Sequence, residues 1–157
     1  MRIHTLHRRQ RLEGTPREVF AFFADALNLE DLTPPLLGFR VVTPEPIQLQ
    51  VGTLIQYALK LHGVPVSWLT SIQAWDPPHR FVDTQVRGPY ALWHHTHSFQ
   101  DTGDGHTLME DTVRYAIGFG VLGDVAHRLV VRRDVEAIFT FRAAEIPRLL
   151  AQFRAVR

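Results

Sequence analysis

From Phe39 to Ile117 apolar and polar residues alternate with a period of two, and from Leu122 to about Gln152 the period changes to 3.6. This switch constrains the fold more than any other feature of the sequence. The first stretch predicts strands at Phe39–Thr43, Thr53–Leu61, Val66–Trp75, Arg80–Arg87, Ala91–Asp101 and Thr107–Ile117. Turn residues punctuate them: Pro44 and Pro46, His62-Gly63, Asp76-Pro77-Pro78, Gly88-Pro89 and Gly103-Asp104-Gly105. Connections this short join antiparallel neighbours. In the second stretch Leu122, Val125, Leu129, Ile138, Arg142, Ile146, Leu149 and Phe153 recur near helical spacing. They predict one helix of about thirty residues, roughly 45 Å long, with Pro147 kinking or shortening its end.

Ahead of these lies a further strand candidate, residues 3 to 13. Thr15-Pro16-Arg17-Glu18 follows as a helix start: threonine caps, proline suits the first helical position, and Glu18 completes a capping box. A second short helix is expected from Ala26 to Leu32, because Pro34-Pro35 must end it. The order is strand, two short helices, six strands, long helix, which is an α+β class with a seven-stranded antiparallel sheet. Several of these strands run to about ten residues, against a usual ~5–6. Long antiparallel strands coil, and one helix cannot fill the whole concave face. The remaining volume is plugged by large side chains or forms a pocket.

The 157 residues suit one domain, 1–157. Seventeen basic residues against sixteen acidic ones leave no basic stripe for nucleic acid, and Arg8-Arg9-Gln10-Arg11 reads as the solvated part of an edge strand. Cysteine is absent, which removes disulfides, thiolate catalysis and cysteine zinc sites. Met1-Arg2-Ile3-His4-Thr5 shows no apolar secretory region, and no stretch approaches the ~18 apolar residues of a membrane span. A cytoplasmic location is the expectation.

Residues 63 to 119 carry a family resemblance. They include Gly63-Val64-Pro65-Val66-Ser67-Trp68, Pro77-Pro78-His79-Arg80-Phe81-Val82-Asp83-Thr84-Gln85 and Gly88-Pro89-Tyr90. Trp93-His94-His95-Thr96-His97-Ser98-Phe99 and Asp111-Thr112-Val113-Arg114-Tyr115 follow. The chain resembles the SRPBCC, or START-like, superfamily over essentially its whole length, and within it the polyketide cyclase/dehydrase-like branch. The resemblance implies a helix-grip fold, in which the curved sheet wraps the C-terminal helix around a container for small molecules. No residue set matches a characterised cyclase site, so the resemblance carries no catalytic role across. Fold alone does not settle function.

Strand parity sorts the candidate site residues. Trp93, His95, His97 and Phe99 share one face of their strand, as do Met109, Asp111, Val113 and Tyr115; Phe81, Asp83, Gln85 and Arg87; Trp68, Thr70 and Ile72; and Ile55, Tyr57, Leu59 and Leu61. All are assigned to the concave side. The expected ligand-binding set is Tyr57, Trp68, Phe81, Gln85, Trp93, His95, His97, Phe99, Asp111 and Tyr115, apolar walls with a few polar groups. Asp83, Gln85, His95, His97 and Asp111 are the polar members. They read as a cluster that orients a ligand, as a satisfied buried network, or as an acid/base pair with candidates His95, His97, Asp83 and Asp111. Buried charges need partners: one another, Arg87 or Arg142. His95-x-His97 with Asp111 has the residue types of a zinc or iron site. Two histidines at i, i+2 arise readily by chance among nine, so neither a metal nor a cofactor is expected.

Gly118-Phe119-Gly120-Val121-Leu122-Gly123 reads as a flexible turn into the helix and a pocket gate, with Pro34-Pro35-Leu36-Leu37 on the opposite rim. Three functions follow. The first is binding of an apolar or aromatic small molecule, lipid-like or polyketide-like. The second is a cyclase or dehydratase using a His/Asp pair. The third is a protein-interaction module, against which the polar outward positions Gln56, Lys60, Gln73, Thr96 and Ser98 count. A homodimer remains open.

Overall fold

The computed structural model describes residues 1–157. β1 (Ile3–Glu13) is followed by α1 (Pro16–Phe23), α2 (Asn28–Asp31) and a 3-10 turn at Pro35–Leu37. Then come β2 (Arg40–Val41), β3 (Leu54–Leu61), β4 (Val64–Asp76), β5 (Arg80–Arg87), β6 (Leu92–Asp101) and β7 (His106–Ala116). The seven strands form one antiparallel sheet in the order β1-β7-β6-β5-β4-β3-β2. α3 (Gly120–Ala126), a π turn (His127–Val131) and α4 (Arg132–Ala155) make the C-terminal helix, 36 residues in all. This is the helix-grip arrangement: a curved sheet with the long helix across it.

Local chemistry accounts for the element ends. The capping box at Thr15 is formed: Glu18 N–H donates to Thr15 Oγ1 at 3.4 Å, and Thr15 N–H to Glu18 Oε2 at 2.7 Å. β4 runs thirteen residues and bends at register shifts between Leu69 and Thr70 and between Ile72 and Ala74; such bulges add coil to a long strand. Two expected elements are shorter than the sequence predicts. β2 keeps two of the five residues Phe39–Thr43, and α2 keeps four of the seven residues Ala26–Leu32.

Pro147 does not end the helix, which runs on to Ala155. A proline in mid-helix leaves the carbonyl four residues earlier without its N–H donor, here that of Ala143. Gln10 of β1 supplies the missing donor, its Nε2 reaching Ala143 O at 2.7 Å. Sheet and helix are therefore joined at the proline. Gln10→Leu is expected to cost about 1–2 kcal/mol, the price of an unsatisfied buried carbonyl. In a Pro147→Ala background, which restores the N–H, most of that cost should vanish. A double-mutant cycle by urea denaturation reads the coupling, and strict additivity would refute this account.

The buried face of the helix also departs from expectation. Leu122, Val125 and Leu129 are exposed, with Phe119 and Val121 beside them. The π turn slows the rotation per residue, so the inward positions run Gly123, His127, Val131, Val135 at every fourth residue. They then continue through Phe139, Arg142, Ile146 and Leu150. The start of the helix thus carries a run of exposed apolar residues, while those exposed on the sheet, Ile3, Leu54, Val64 and Val86, are spread over four strands.

Three apolar clusters divide the concave side. Phe20, Phe22 and Phe23 of α1 pack with Leu12, Phe81, Phe99, Met109, Ile146 and Leu150 at one end. Val113, Tyr115, Val135 and Phe139 pack at the other. Ala26, Ile55 and Tyr57 form the third, with Leu29, Phe39, Leu49 and Trp68 against them. The space between the clusters is not filled.

Candidate functional site

That space is a partly open cavity of about 150 Å³. Its walls come from every layer. Phe23, Ala26, Leu29 and Leu37 stand on one side, Ile55, Tyr57, Leu59 and Trp68 on the sheet, Tyr90 and Trp93 at one margin, and Ile138 and Phe139 on the helix. Trp68 donates its indole N–H to Thr70 Oγ1 at 3.0 Å and packs edge-on to Trp93 with ring centroids 5.2 Å apart. Seventeen of twenty-three lining residues are hydrophobic, and Asp83, His95, His97 and Arg142 are the only titratable groups in the lining besides tyrosine.

The polar cluster follows from register. Asp83 on β5 faces His95 on β6, and His97 on β6 faces Asp111 on β7. All four point inward, and the side chains bond along the diagonals, within reach of long residues. His95 Nε2 donates to Asp111 Oδ1 at 2.7 Å, and His97 Nε2 donates to Asp83 Oδ2 at 2.7 Å. The second contacts are looser. His97 Nδ1 lies 3.1 Å from Asp111 Oδ1 but out of line for a hydrogen bond, and His95 Nδ1 lies 3.7 Å from Asp83 Oδ2. The two imidazoles sit 3.6 Å apart between centroids, and Phe81 stacks on His97 at 4.0 Å.

The environment separates the four groups. Burial pushes the Asp83 carboxyl up, yet the charges of His95, His97 and Arg142 and the His97 hydrogen bond outweigh it and hold it below the usual carboxylate range. Burial acts the same way on Asp111, and contacts from both histidines hold it well below the usual carboxylate range too. Burial and the neighbouring His97 lower His95, while the two carboxylates raise His97 above an ordinary histidine despite its burial. The cluster thus carries two carboxylates, one imidazole that favours its proton and one that does not.

Of the residues expected at the site, Tyr57, Trp68, Phe81, Trp93, His95 and His97 line the cavity together with Asp83. Four others stand elsewhere. Gln85 folds over Gly88 and clamps the β5–β6 turn, its amide bonding Tyr90 O at 2.7 Å and Tyr90 N at 3.1 Å. Phe99 is buried in the α1 cluster, which closes that end of the concave face. Tyr115 packs on Val135 and Phe139 and turns its hydroxyl to His127 Nε2 at 3.0 Å. Asp111 lies behind the histidines, facing a second, more polar chamber with Arg8, Gln10 and Arg142. Arg87 is exposed and takes no part.

Arg142 joins the two chambers and lines both. It is 8% exposed, its Nε has no hydrogen-bond partner, and the ion pairs of the cluster run between carboxylates and histidines only. Tyr90 and Phe139 also line the cavity unheralded. Tyr90 sits in the Gly88-Pro89 turn, where period-two parity assigns no face.

The fold is similar to that of several solved structures, a START superfamily protein among them. Zhui aromatase/cyclase from a Streptomyces species superposes with a TM-score of 0.73 at 15% identity, covering 99% of this chain and 97% of that one. Norcoclaurine synthase from Thalictrum flavum, in complex with dopamine and hydroxybenzaldehyde, gives 0.64 at 11% identity over 92% and 86%. A START superfamily protein from Mycobacterium smegmatis gives 0.64 at 10% identity over 91% and 99%. No family model matches the sequence, and no curated protein matches it either. At these identities the likeness is one of fold. No helix of the chain is long and apolar enough to cross a membrane.

Proposed function

We propose that this protein binds a ring-containing apolar small molecule, polyketide-like or lipid-like, between the sheet and the C-terminal helix, with an oxygen-bearing end directed at Arg142. The observation that carries the reading is an apolar-walled cavity closing on one buried guanidinium whose Nε has no acceptor in the protein. Apolar walls favour transfer of a hydrophobic body from water, and a buried cation favours an acceptor beside it. Two fold neighbours bear names or ligands of aromatic chemistry, an aromatase/cyclase and a synthase holding dopamine and hydroxybenzaldehyde.

Trp68 and Trp93 line the cavity, so occupancy is readable through their fluorescence. N-phenyl-1-naphthylamine, a neutral apolar probe, is expected to bind one per chain and to be excited by energy transfer from tryptophan. Leu59→Trp, which places bulk into the cavity, should abolish that signal while the fold is kept. Native mass spectrometry of protein from its own source should show a co-purifying small molecule. Absence of both a co-purifying ligand and saturable probe binding would sink the reading.

A second reading has its own observation: Asp83 and His97 reach the cavity already joined by a 2.7 Å hydrogen bond. A carboxylate and an imidazole so placed are the parts of a general acid/base step, as a cyclase or dehydratase requires. On this reading Asp83→Asn protein retains a ligand heavier by one water than that of the wild type. Identical ligands on both would exclude dehydration at this pair.

A further inference from the structure

We propose that Asp83, His95 and His97 form a binding site for a divalent transition-metal ion of the zinc or iron(II) class, open toward the cavity. Their ligand atoms all lie within 4.8 Å of one another. His97 Nε2 and His95 Nδ1 both face Asp83 Oδ2, at 2.7 and 3.7 Å. Ligands bound at ~2.0–2.1 Å around one ion stand roughly 3–3.4 Å apart, so these distances bracket the spacing a shared ion needs. Two imidazoles and one carboxylate on one side of an ion, with positions left open, is a donor set for catalytic zinc or for non-haem iron(II).

The arrangement behind the three residues strengthens the assignment. Metal-bound histidines give their other ring nitrogen to a carboxylate that fixes the ring and the tautomer. Asp111 stands in that position for His95, whose Nε2 donates to it at 2.7 Å, and the same oxygen lies 3.1 Å from His97 Nδ1, which makes no hydrogen bond to it. Asp83, His95 and His97 line the cavity, whereas Asp111 does not. The protein thus separates three ligands that meet the cavity from one supporting carboxylate behind them. His95 is fixed by its bond to Asp111 with Nδ1 as the nitrogen free to ligate. Two carboxylates match the charge of a divalent ion, and neutral imidazoles complete the set. Arg142 is left over, free to face an oxygen of whatever shares the open positions. Chance pairing of two histidines at i, i+2 explains neither the third ligand from β5 nor the shared carboxylate from β7.

Metal binding is measured without reference to any organic ligand, so it stands or falls separately from the function proposed above. Chelator-treated protein is titrated with Co(II), whose visible absorption reports coordination. One ion per chain is expected, displaced by Zn(II), with a rise in melting temperature when either ion is present. Asp83→Asn and His97→Gln should each weaken binding by about 100-fold, and Asp111→Asn by about 10–100-fold. His62→Ala, which alters an exposed histidine paired with Asp134, should change nothing. Circular dichroism melts separate loss of ligand from loss of fold, and the wild-type stoichiometry and spectrum test the site even if a variant fails to fold. No saturable Co(II) signal in the wild type, or a signal that survives Asp83→Asn and disappears with His62→Ala, would overturn the proposal.

Discussion

Asp111→Ala is expected to cost about 3–5 kcal/mol of stability, the range for breaking a buried ion pair by removing one partner. Asp111 accepts from His95 and lies against His97, both almost fully buried, and no other carboxylate can replace it on that side. Its removal leaves the His95 N–H without an acceptor and His97 without one of the charges that raise it. Glu110, the next residue, sits on the outer face in exposed pairs with His7 and Arg9, and Glu110→Ala should cost under about 1 kcal/mol.

The same substitution should reshape the pH dependence of the metal-free protein. Asp83 and Asp111 are held below the usual carboxylate range in the fold. Their stabilisation is therefore present above about pH 4 and is lost as pH falls toward the folded values. His97 is raised, so its contribution is full below about pH 6.5 and fades as pH rises through its folded value. His95 is lowered, so its contribution is present above about pH 6.5 and falls away on acidification. The two histidines oppose each other near neutrality and leave the carboxylates to set the acid limb. Urea midpoints from about pH 2 to 8 should show a steep acid limb in the wild type and a shallower one in Asp111→Ala. A loss below about 1 kcal/mol with an unchanged acid limb would mean that the cluster is not the coupled network described here.

The sequence exposed the parity of the strands well and their partners poorly. Burial alternates along most of β6 and β7 and less cleanly along β5, where Phe81 and Val82 are both buried, and strand parity alone assigns Asp83, His95, His97 and Asp111 to one face. Which carboxylate meets which imidazole depends on register, and the diagonal bonds reverse the pairing of direct neighbours. The helix shows the opposite case. Its existence was plain from periodicity, but its phase was not, because one π turn moves Leu122, Val125 and Leu129 outward. Pro147 and Gln10 show why local rules run out. The proline reads as a kink or a shortened end, and what relieves it is a glutamine on β1, joined to it only by the tertiary fold. Gln85 has the parity of a site residue, but the turn it closes uses its amide for backbone groups. Arg142 falls on the helical stripe and is expected, with Arg87, as a partner for the buried charges, yet the ion pairs of the cluster run between carboxylates and histidines only. Its significance lies in having no partner, which no sequence pattern encodes.

Arg142→Met is expected to weaken binding of 1-anilinonaphthalene-8-sulfonate by about 10–100-fold, the equivalent of a lost hydrogen bond to a charged group at ~1.5–3 kcal/mol. Binding of N-phenyl-1-naphthylamine, the same ring system without the sulfonate, should stay within about 2-fold, because the apolar walls are unchanged and only the charge-assisted bond at ~1.5–3 kcal/mol is removed. Methionine keeps an unbranched chain against Phe139, where the guanidinium now sits 5.6 Å from the ring centroid, and it needs no acceptor. The substitution also removes a buried guanidinium whose Nε has no acceptor and which forms no ion pair, so the melting temperature should hold even as anion affinity falls. Asp83 keeps its bond to His97 in the variant and loses only the Arg142 charge, the smallest of the contributions that hold its carboxyl low. Fluorescence titration of both probes against both proteins separates the possibilities. A parallel loss for the two probes would mean that Arg142 only shapes the wall. A loss confined to the sulfonate, at undiminished stability, identifies a residue retained because it receives the polar end of a ligand.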